Sequence, residues 1–252
     1  MSAKSNLLNL SVFIICKNEA KIIGPTLAKA QSVADEIIIV DSGSTDETLP
    51  IAKKFTNKIY HKKWLGYARQ KNYALSLCSN KWVLSLDADE VLSDALINEI
   101  KLYMKTHNAE DYIGFKTPRE LFIGEKCVKF GGYYPDYQLR LFQKPYGRFK
   151  DLPVHEYVEI IKSNHEHIAP KNKIAHFKNP IKHYSYQSVK EYKKAYMKFA
   201  GLFPKKINPI FAFVKAIYSF FYRWVIRAGF LNGKIGAQLA LIYAVYTFKK
   251  YR

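Results

Sequence analysis

The sequence predicts an α/β protein, a mostly parallel, Rossmann-like sheet flanked by helices, with a basic amphipathic helical extension at the C-terminus. Three observations predict it. Short apolar runs rich in β-branched residues (Leu10–Cys16, Glu36–Val40 and Lys81–Leu86) recur through the N-terminal half with helical patterns between them, the pattern of buried parallel strands joined by right-handed crossovers. Charge is divided unevenly: residues 1–126 carry a net +2 and residues 127–252 a net +17. The last acidic residue is Glu191, and the 61 residues after it hold 12 Lys and Arg.

The elements follow in order. Leu10–Cys16 is a buried strand, and residues 19–33 read as a helix with Pro25 near its first turn. Glu36–Val40 is the next strand and runs into Asp41. Ser44 and Glu47 have the spacing of a capping box for a helix reaching about Phe55. Lys58–His61 is a short strand, residues 66–78 a helix, and Lys81–Leu86 a buried strand ending at Asp87. Ser93 then caps a helix to about Met104. Strands are predicted at Ile113–Ile123, Lys126–Phe130 and Leu139–Gln143, and helices at 188–201, 207–231 and 235–248.

Composition sets outer limits. An apolar share of 48% in 252 residues supplies a core and excludes global disorder. Three cysteines, Cys16, Cys78 and Cys127, are too few and scattered for a disulfide scaffold, so a reducing compartment is expected. The run Leu7–Cys16 meets Lys17, Asn18 and Glu19 and has no small-residue cleavage site, so no secretory signal is expected. A basic tail needs an anionic partner: nucleic acid, a membrane surface or an anionic glycolipid.

Open parallel sheets bind ligands beyond the carboxyl ends of their strands. Two acidic clusters fall at such ends: Asp41 with Ser42-Gly43-Ser44-Thr45-Asp46, and Asp87-Ala88-Asp89 with Glu90. The second suits Mg2+ or Mn2+, hard cations that take one or two protein carboxylates plus phosphate oxygens. A lone pair of this kind is more often an ordinary acidic turn. Direct succession to a buried strand, and a second acidic strand end, tilt the reading toward the cation.

Four segments together resemble glycosyltransferase family 2: Cys16-Lys17-Asn18-Glu19, Ile39 to Thr48, Gly66 to Leu75, and Trp82 to Glu90. Further segments are similar to the bacterial lipopolysaccharide inner-core glucosyltransferases: Gly131 to Phe142, Val154-His155-Glu156, Lys182 to Ser185 and Arg227 to Gly233. Members of that group usually carry Asp where this chain has Asn232. The resemblance implies a GT-A fold over residues 1–187, with a nucleotide-sugar-binding half at 1–105 and an acceptor half at 106–187, followed by a helical region at 188–252. It implies an inverting transfer of a hexose, glucose from UDP-glucose, onto a heptose of the lipopolysaccharide inner core at the cytoplasmic face of the inner membrane. The alternatives are another lipid-linked or peptide acceptor, or a membrane protein that binds a sugar nucleotide without catalysis.

Donor contacts are expected from Asn18, Glu19, Asp41, Arg69, Asn72 and Asp87. Asp41 is placed to accept hydrogen bonds from base or ribose, or else to partner Ser44 in a cap. Arg69 and Asn72 lie a helical turn apart on one face, which faces either the donor or solvent. Asp89 is the expected metal ligand, with Asp87 and His183 beside it, although a lone histidine is more often structural. An inverting transfer needs a base for the acceptor hydroxyl. Glu156 is favoured and Asp136, after Pro135, is second.

In the tail, the 14 residues 235–248 form the longest uncharged stretch, short of the roughly 20 that span a bilayer. Aromatic residues interleaved with Lys215, Arg223 and Arg227 suit the membrane interface. The other reading is a helical cap with a solvated basic face. Nucleic acid is not expected, because no nucleic-acid motif is present.

Overall fold

Seven consecutive buried side chains make Leu10–Cys16 (β1) the central strand of the N-terminal sheet. The computed structural model describes residues 8–106, 111–151, 156–161, 173–202, 205 and 207–252. In chain order, β1 is followed by α1 (Ile23–Ala30), β2 (Glu36–Asp41), α2 (Thr48–Ala52), β3 (Ile59–His61), α3 (Tyr67–Leu77), β4 (Trp82–Asp87), β5 (Glu90–Leu92) and α4 (Asp94–Lys105). Then come β6 (Gly114–Ile123), β7 (Lys126–Val128), β8 (Asp136–Gln143), β9 (Gly147–Phe149), β10 (Val158–Ile160), β11 (Ile174–His176) and β12 (Ile181–Tyr186). Three helices close the chain: α5 (Val189–Leu202), α6 (Pro209–Phe221) and α7 (Lys234–Tyr251).

The chain divides into two compact units, Met1–Arg119 with Tyr137–Lys182, and Glu120–Asp136 with His183–Arg252. This partition differs from the boundary expected at 187. The hairpin of residues 120–136 groups with the C-terminal helices because Ile123 and Val128 share a core with Tyr192, Leu239 and Ile242.

In the first unit β1 lies between β2 and β4, parallel to both, and β3 extends the sheet beyond β2. β8 joins β4 antiparallel, and β11 runs parallel to the first residues of β6. Both faces of β1, β2 and β4 are covered, which explains their unbroken apolar runs. On one face Ile14, Ile39 and Leu86 pack with Ile23 and Leu27 of α1 and with Leu96 and Ile100 of α4. On the other, Phe13, Ile38 and Val83 pack with Ala68, Ala74 and Leu75 of α3.

The two expected caps fare differently. Ser93 accepts from the Leu96 N–H at 3.2 Å and starts α4 as predicted. Ser44 does not cap: α2 begins only at Thr48, whose N–H donates to the Asp46 carboxylate at 3.0 Å. The Ser44 hydroxyl donates to Asp41 instead, and Asp46 supplies the local side-chain bond to Thr48.

Glu36, buried at the start of β2, accepts from the Ser11 hydroxyl, from Lys58 Nζ at 2.5 Å, and from the Ser79 N–H and hydroxyl, each at 2.9 Å. Burial works against its charge, but these donors outweigh it and hold the carboxyl down to about 2. They join β1, β2 and the turn before β4.

In the second unit β7 pairs antiparallel with the end of β6. Tyr133 and Tyr192 exchange a hydroxyl hydrogen bond of 2.8 Å, and the Arg223 guanidinium lies over the Tyr243 ring at 3.6 Å from its centroid. The single helix expected at 207–231 is broken. α6, capped by Asn208 and opened by Pro209, passes into a wide turn at Tyr222–Ile226 and a 3-10 turn at Gly229–Asn232. The break follows from close packing: a Cβ on Gly229 would stand 2.4 Å from the Arg223 carbonyl oxygen, and a Cβ on Gly236 only 2.0 Å from that of Gly229. Asn232 accepts from the Phe130 N–H at 3.3 Å and donates to its carbonyl at 2.9 Å. An aspartate could make only the first of these bonds. Pro209–Ile226 is long and apolar enough, by length and composition alone, to cross a membrane, and only 11% of it is buried. The sequence expectation, counting only uncharged residues, passed over this stretch because Lys215 and Arg223 interrupt it.

Two outcomes are expected. A carboxylate with a lowered folded-state pKa stabilises the fold above its unfolded value, and that stability is lost as pH falls through about 2. Glu36→Gln should therefore cost about 3 kcal/mol near neutral pH, with a deficit against wild type that shrinks below about pH 4, as read by urea unfolding. Asn232→Asp should lower stability by about 1–2 kcal/mol through the orphaned Phe130 carbonyl, seen as a shifted urea midpoint.

Candidate active site

The parallel register delivers two acidic loops to one edge of the sheet. Cys16 pairs with Asp41, and Ile15 with Asp87, so β2 and β4 end on either side of the last residues of β1. Two strand spacings put those ends about 10 Å apart. Neighbouring residues of a strand face opposite sides, so Asp41 shares the Cys16 face and Asp87 the Ile15 face.

On the Asp41 side the backbone is laced together by side chains. Gly43, at φ +92°, turns the chain so that its own N–H and that of Ser44 both donate to Asp41, at 2.8 and 3.1 Å. The Ser44 hydroxyl donates to the same carboxylate at 2.5 Å and accepts from the Asn18 N–H at 2.9 Å. Asn18 Oδ1 accepts from the Thr45 N–H at 2.8 Å, the Glu19 N–H donates to Thr48 Oγ1 at 2.7 Å, and the Ala20 N–H donates to Asp46 at 3.1 Å. Burial opposes the Asp41 charge, but Ser44, Gly43 and His61 prevail and hold its carboxyl below the usual range. Asp41, Leu49, Asn57 and His61 line a hollow of about 370 Å³.

On the Asp87 side the carboxylates meet buried cations. Lys71, in α3, is 3% exposed and lies 2.7 Å from Asp87 Oδ1 and 2.8 Å from Glu156 Oε1. Burial disfavours its charge, yet Asp87 and Glu156 outweigh both burial and the Arg140 guanidinium, and the ammonium pKa rises. Arg140, in β8, donates to Asp87 Oδ2 at 2.7 Å and also to Glu90. Glu90, fully buried, further accepts from Arg119 and from the Asp87 N–H, both at 3.1 Å. Arg140 is likewise raised, with burial opposed by Asp87 and Glu90.

Between the two sides stands Glu19. Burial first, then the carboxylates of Asp89, Asp46 and Asp87, push its pKa up to about 7. Negative charge thus accumulates where the β1, β2 and β4 loops meet. Among the described residues, no group of three or more His, Cys, Asp or Glu side chains could hold a metal alone. A site with one or two carboxylates and an excess of negative charge fits a Mg2+-like ion that completes its shell with phosphate oxygens.

The structure thus gathers Asn18, Glu19 and Asp41 on one side and Asp87 and Glu156 on the other, with Asp89 close enough to act on Glu19. Asn72 is half-buried, and its amide donates to the Phe149 carbonyl at 2.8 Å and accepts from the Phe149 N–H at 2.9 Å. Arg69 pairs with Asp151 at 2.6 Å. Asp136, the first residue of β8, and His183, bonded to the Ser185 hydroxyl, belong to the second unit. His155 lies outside the described residues.

Sequence reasoning missed Lys71 and Arg140, although each left a signal. Lys71 follows Ala68 by three and precedes Ala74 and Leu75 by three and four, so it shares their core face. Arg140 sits in a strand that then runs buried through Gln143. A buried cation demands a carboxylate partner.

Residues 11–151 match the model of the family described as Glycosyl transferase family 2, and the chain belongs to that family. It is therefore a glycosyltransferase, and the helix-flanked, mostly parallel sheet of its first unit is of the GT-A kind. An uncharacterized glycosyltransferase of Rickettsia conorii is 31% identical over 97% of this chain and 89% of its own length. The lipopolysaccharide core biosynthesis glycosyltransferase LpsC of Rhizobium meliloti is 30% identical over 96% of this chain and 92% of its own. Among solved structures, S. aureus TarS 1-349 in complex with UDP-GlcNAc aligns over 93% of this chain and 79% of that one, with 16% identity and a TM-score of 0.44.

Removing the shared cation should expose its importance. Lys71→Met removes the cation that Glu156 shares with Asp87, leaving Asp87 with Arg140, and should cost about 3 kcal/mol of stability in urea unfolding. Donor turnover should fall even at temperatures where the variant is fully folded.

Proposed function

We propose that this glycosyltransferase is inverting and metal-dependent, and that it moves a hexose, glucose from UDP-glucose, onto a heptose of the lipopolysaccharide inner core at the cytoplasmic face of a bacterial inner membrane. The observation that carries the reading is the delivery of the Asp41 and Asp87-Ala88-Asp89 loops to the two sides of one strand end. The near-full-length similarity to LpsC supports the acceptor class, and the inner-core motifs support the donor.

In this reading Asn18, Glu19 and Asp41 shape the nucleotide side. Asp89 is the principal metal ligand in this reading, and Asp87, whose two oxygens are engaged by Lys71 and Arg140, is its oriented neighbour. Bound there, a divalent ion would offset the charge of the diphosphate leaving group. The acceptor hydroxyl attacks the anomeric carbon in a single displacement through an oxocarbenium-like transition state. Glu156 accepts the hydroxyl proton, and its other task is already visible: Lys71 holds one of its oxygens in place. The basic, aromatic tail brings the enzyme to the membrane that carries the acceptor.

UDP release measured with several donors and purified core acceptor tests the reaction. Glu156→Gln should lose about 10²–10⁴-fold in kcat with donor affinity kept, and Asp89→Asn should lose donor turnover and its dependence on Mn2+. A fully active Glu156→Gln beside an inactive Asp136→Asn would move the base to Asp136. An unaltered lipopolysaccharide core, by mass spectrometry of a deletion strain, would overturn the inner-core acceptor in favour of another lipid-linked one.

A further inference from the structure

Helix α6 is apolar on nearly every side, yet it buries only Ala212 and Ala216. Ile210, Phe211, Phe213, Val214, Tyr218 and Phe221 stand 54–71% exposed. A helix meant for water carries a polar face; this one has Lys215 as its single charged residue. Between α6 and α7 runs a groove of about 470 Å³ lined by apolar residues alone, among them Phe213, Ile217, Phe221, Leu241 and Val245. That volume is within the roughly 300–1,000 Å³ of small-molecule pockets.

One cation, Arg252, borders this groove, and two others sit on neighbouring rings. The Arg252 guanidinium lies 5.8 Å from the ring of Phe248, a lining residue, Lys250 is 5.7 Å from the Tyr246 ring, and Lys215 is 4.4 Å from the Tyr251 ring. No Asp or Glu follows Glu191. A second copy of the chain would bring like charges together as it covered the apolar groove. A lipid with an anionic headgroup satisfies both features at once.

We propose that the α6–α7 groove takes an acyl chain of an anionic membrane phospholipid, with Arg252 at its headgroup and Lys215 and Lys250 adding to the basic surface nearby. The proposal rests on the membrane part of the function proposed above and not on the sugar chemistry. It places α6 in the plane of one leaflet: α6 stays packed along α7, where Phe213 meets the Phe248 ring at 6.5 Å, and Lys215 reaches the headgroups from mid-helix.

The test uses the full chain with vesicles of phosphatidylcholine and phosphatidylglycerol, against phosphatidylcholine alone, and lipids brominated on their acyl chains. Trp224, whose ring stacks 6.5 Å from Phe220 of the groove, is the reporter, with Trp224→Phe as the blank. Wild type should sediment with the anionic vesicles, and its Trp224 fluorescence should be quenched by the bromines. The exposed-site variant Phe221→Asp/Leu241→Asp should bind at least about tenfold more weakly and escape quenching, with donor hydrolysis in lipid-free solution unchanged. Sedimentation without quenching, or quenching unchanged in the variant, would overturn the groove and leave the membrane reading standing. Absence of vesicle binding would overturn both. Lipid-free dimerisation abolished by the double variant would assign the groove to a second copy instead.

Discussion

The parallel register of β1 with β2 and β4 is the constraint on which the site depends. Residues 41 and 87, far apart in the chain, end strands that flank one strand end. Their side chains leave on opposite faces, so each acquires a different environment. Asp41 is held by backbone N–H groups and a serine hydroxyl, whereas Asp87 is held by two buried cations. A one-residue slip in either pairing would exchange these faces, placing Asp41 among the cations of α3 and β8.

Charge balance is the second theme. Carboxylates at this edge outnumber what the fold needs, and the surplus shows in Glu19, whose ionisation is deferred to about neutral pH by burial and by Asp89, Asp46 and Asp87. Lys71, Arg140 and Arg119 neutralise the inner members, Asp87, Glu90 and Glu156. What remains is an excess of carboxylate charge around Glu19, where the proposed divalent ion would sit. Neither carboxylates alone nor cations alone would produce that distribution.

The sheet centre was legible because β1, β2 and β4 are covered on both faces and read as unbroken apolar runs. Ser93 was legible as a cap because nothing nearby competes for the Leu96 N–H, whereas Ser44 had Asp41 as a stronger partner and Asp46 stood closer to Thr48. The three-residue strands β5, β9, β10 and β11 are too short to show a period, and β11 pairs with the distant start of β6. Asn72 shows a related limit: helical spacing places it beside Arg69, whereas its bonds to the backbone of Phe149, 77 residues away, are set by tertiary packing. Lys71 was readable in principle from its place among Ala68, Ala74 and Leu75, although which carboxylates it meets is decided by tertiary packing.

If the donor docks as proposed, the stitching of Asn18, Glu19 and Ala20 to Ser44, Thr45, Asp46 and Thr48 bears on how tightly it is held. Two loops that would otherwise fluctuate are already fastened to each other by side-chain bonds to main-chain N–H groups. Little configurational freedom is then left on that side to surrender when a ligand docks, so more of the gross contact energy survives as affinity. Association on the nucleotide side becomes an encounter with a ready-made mould rather than an act of assembly.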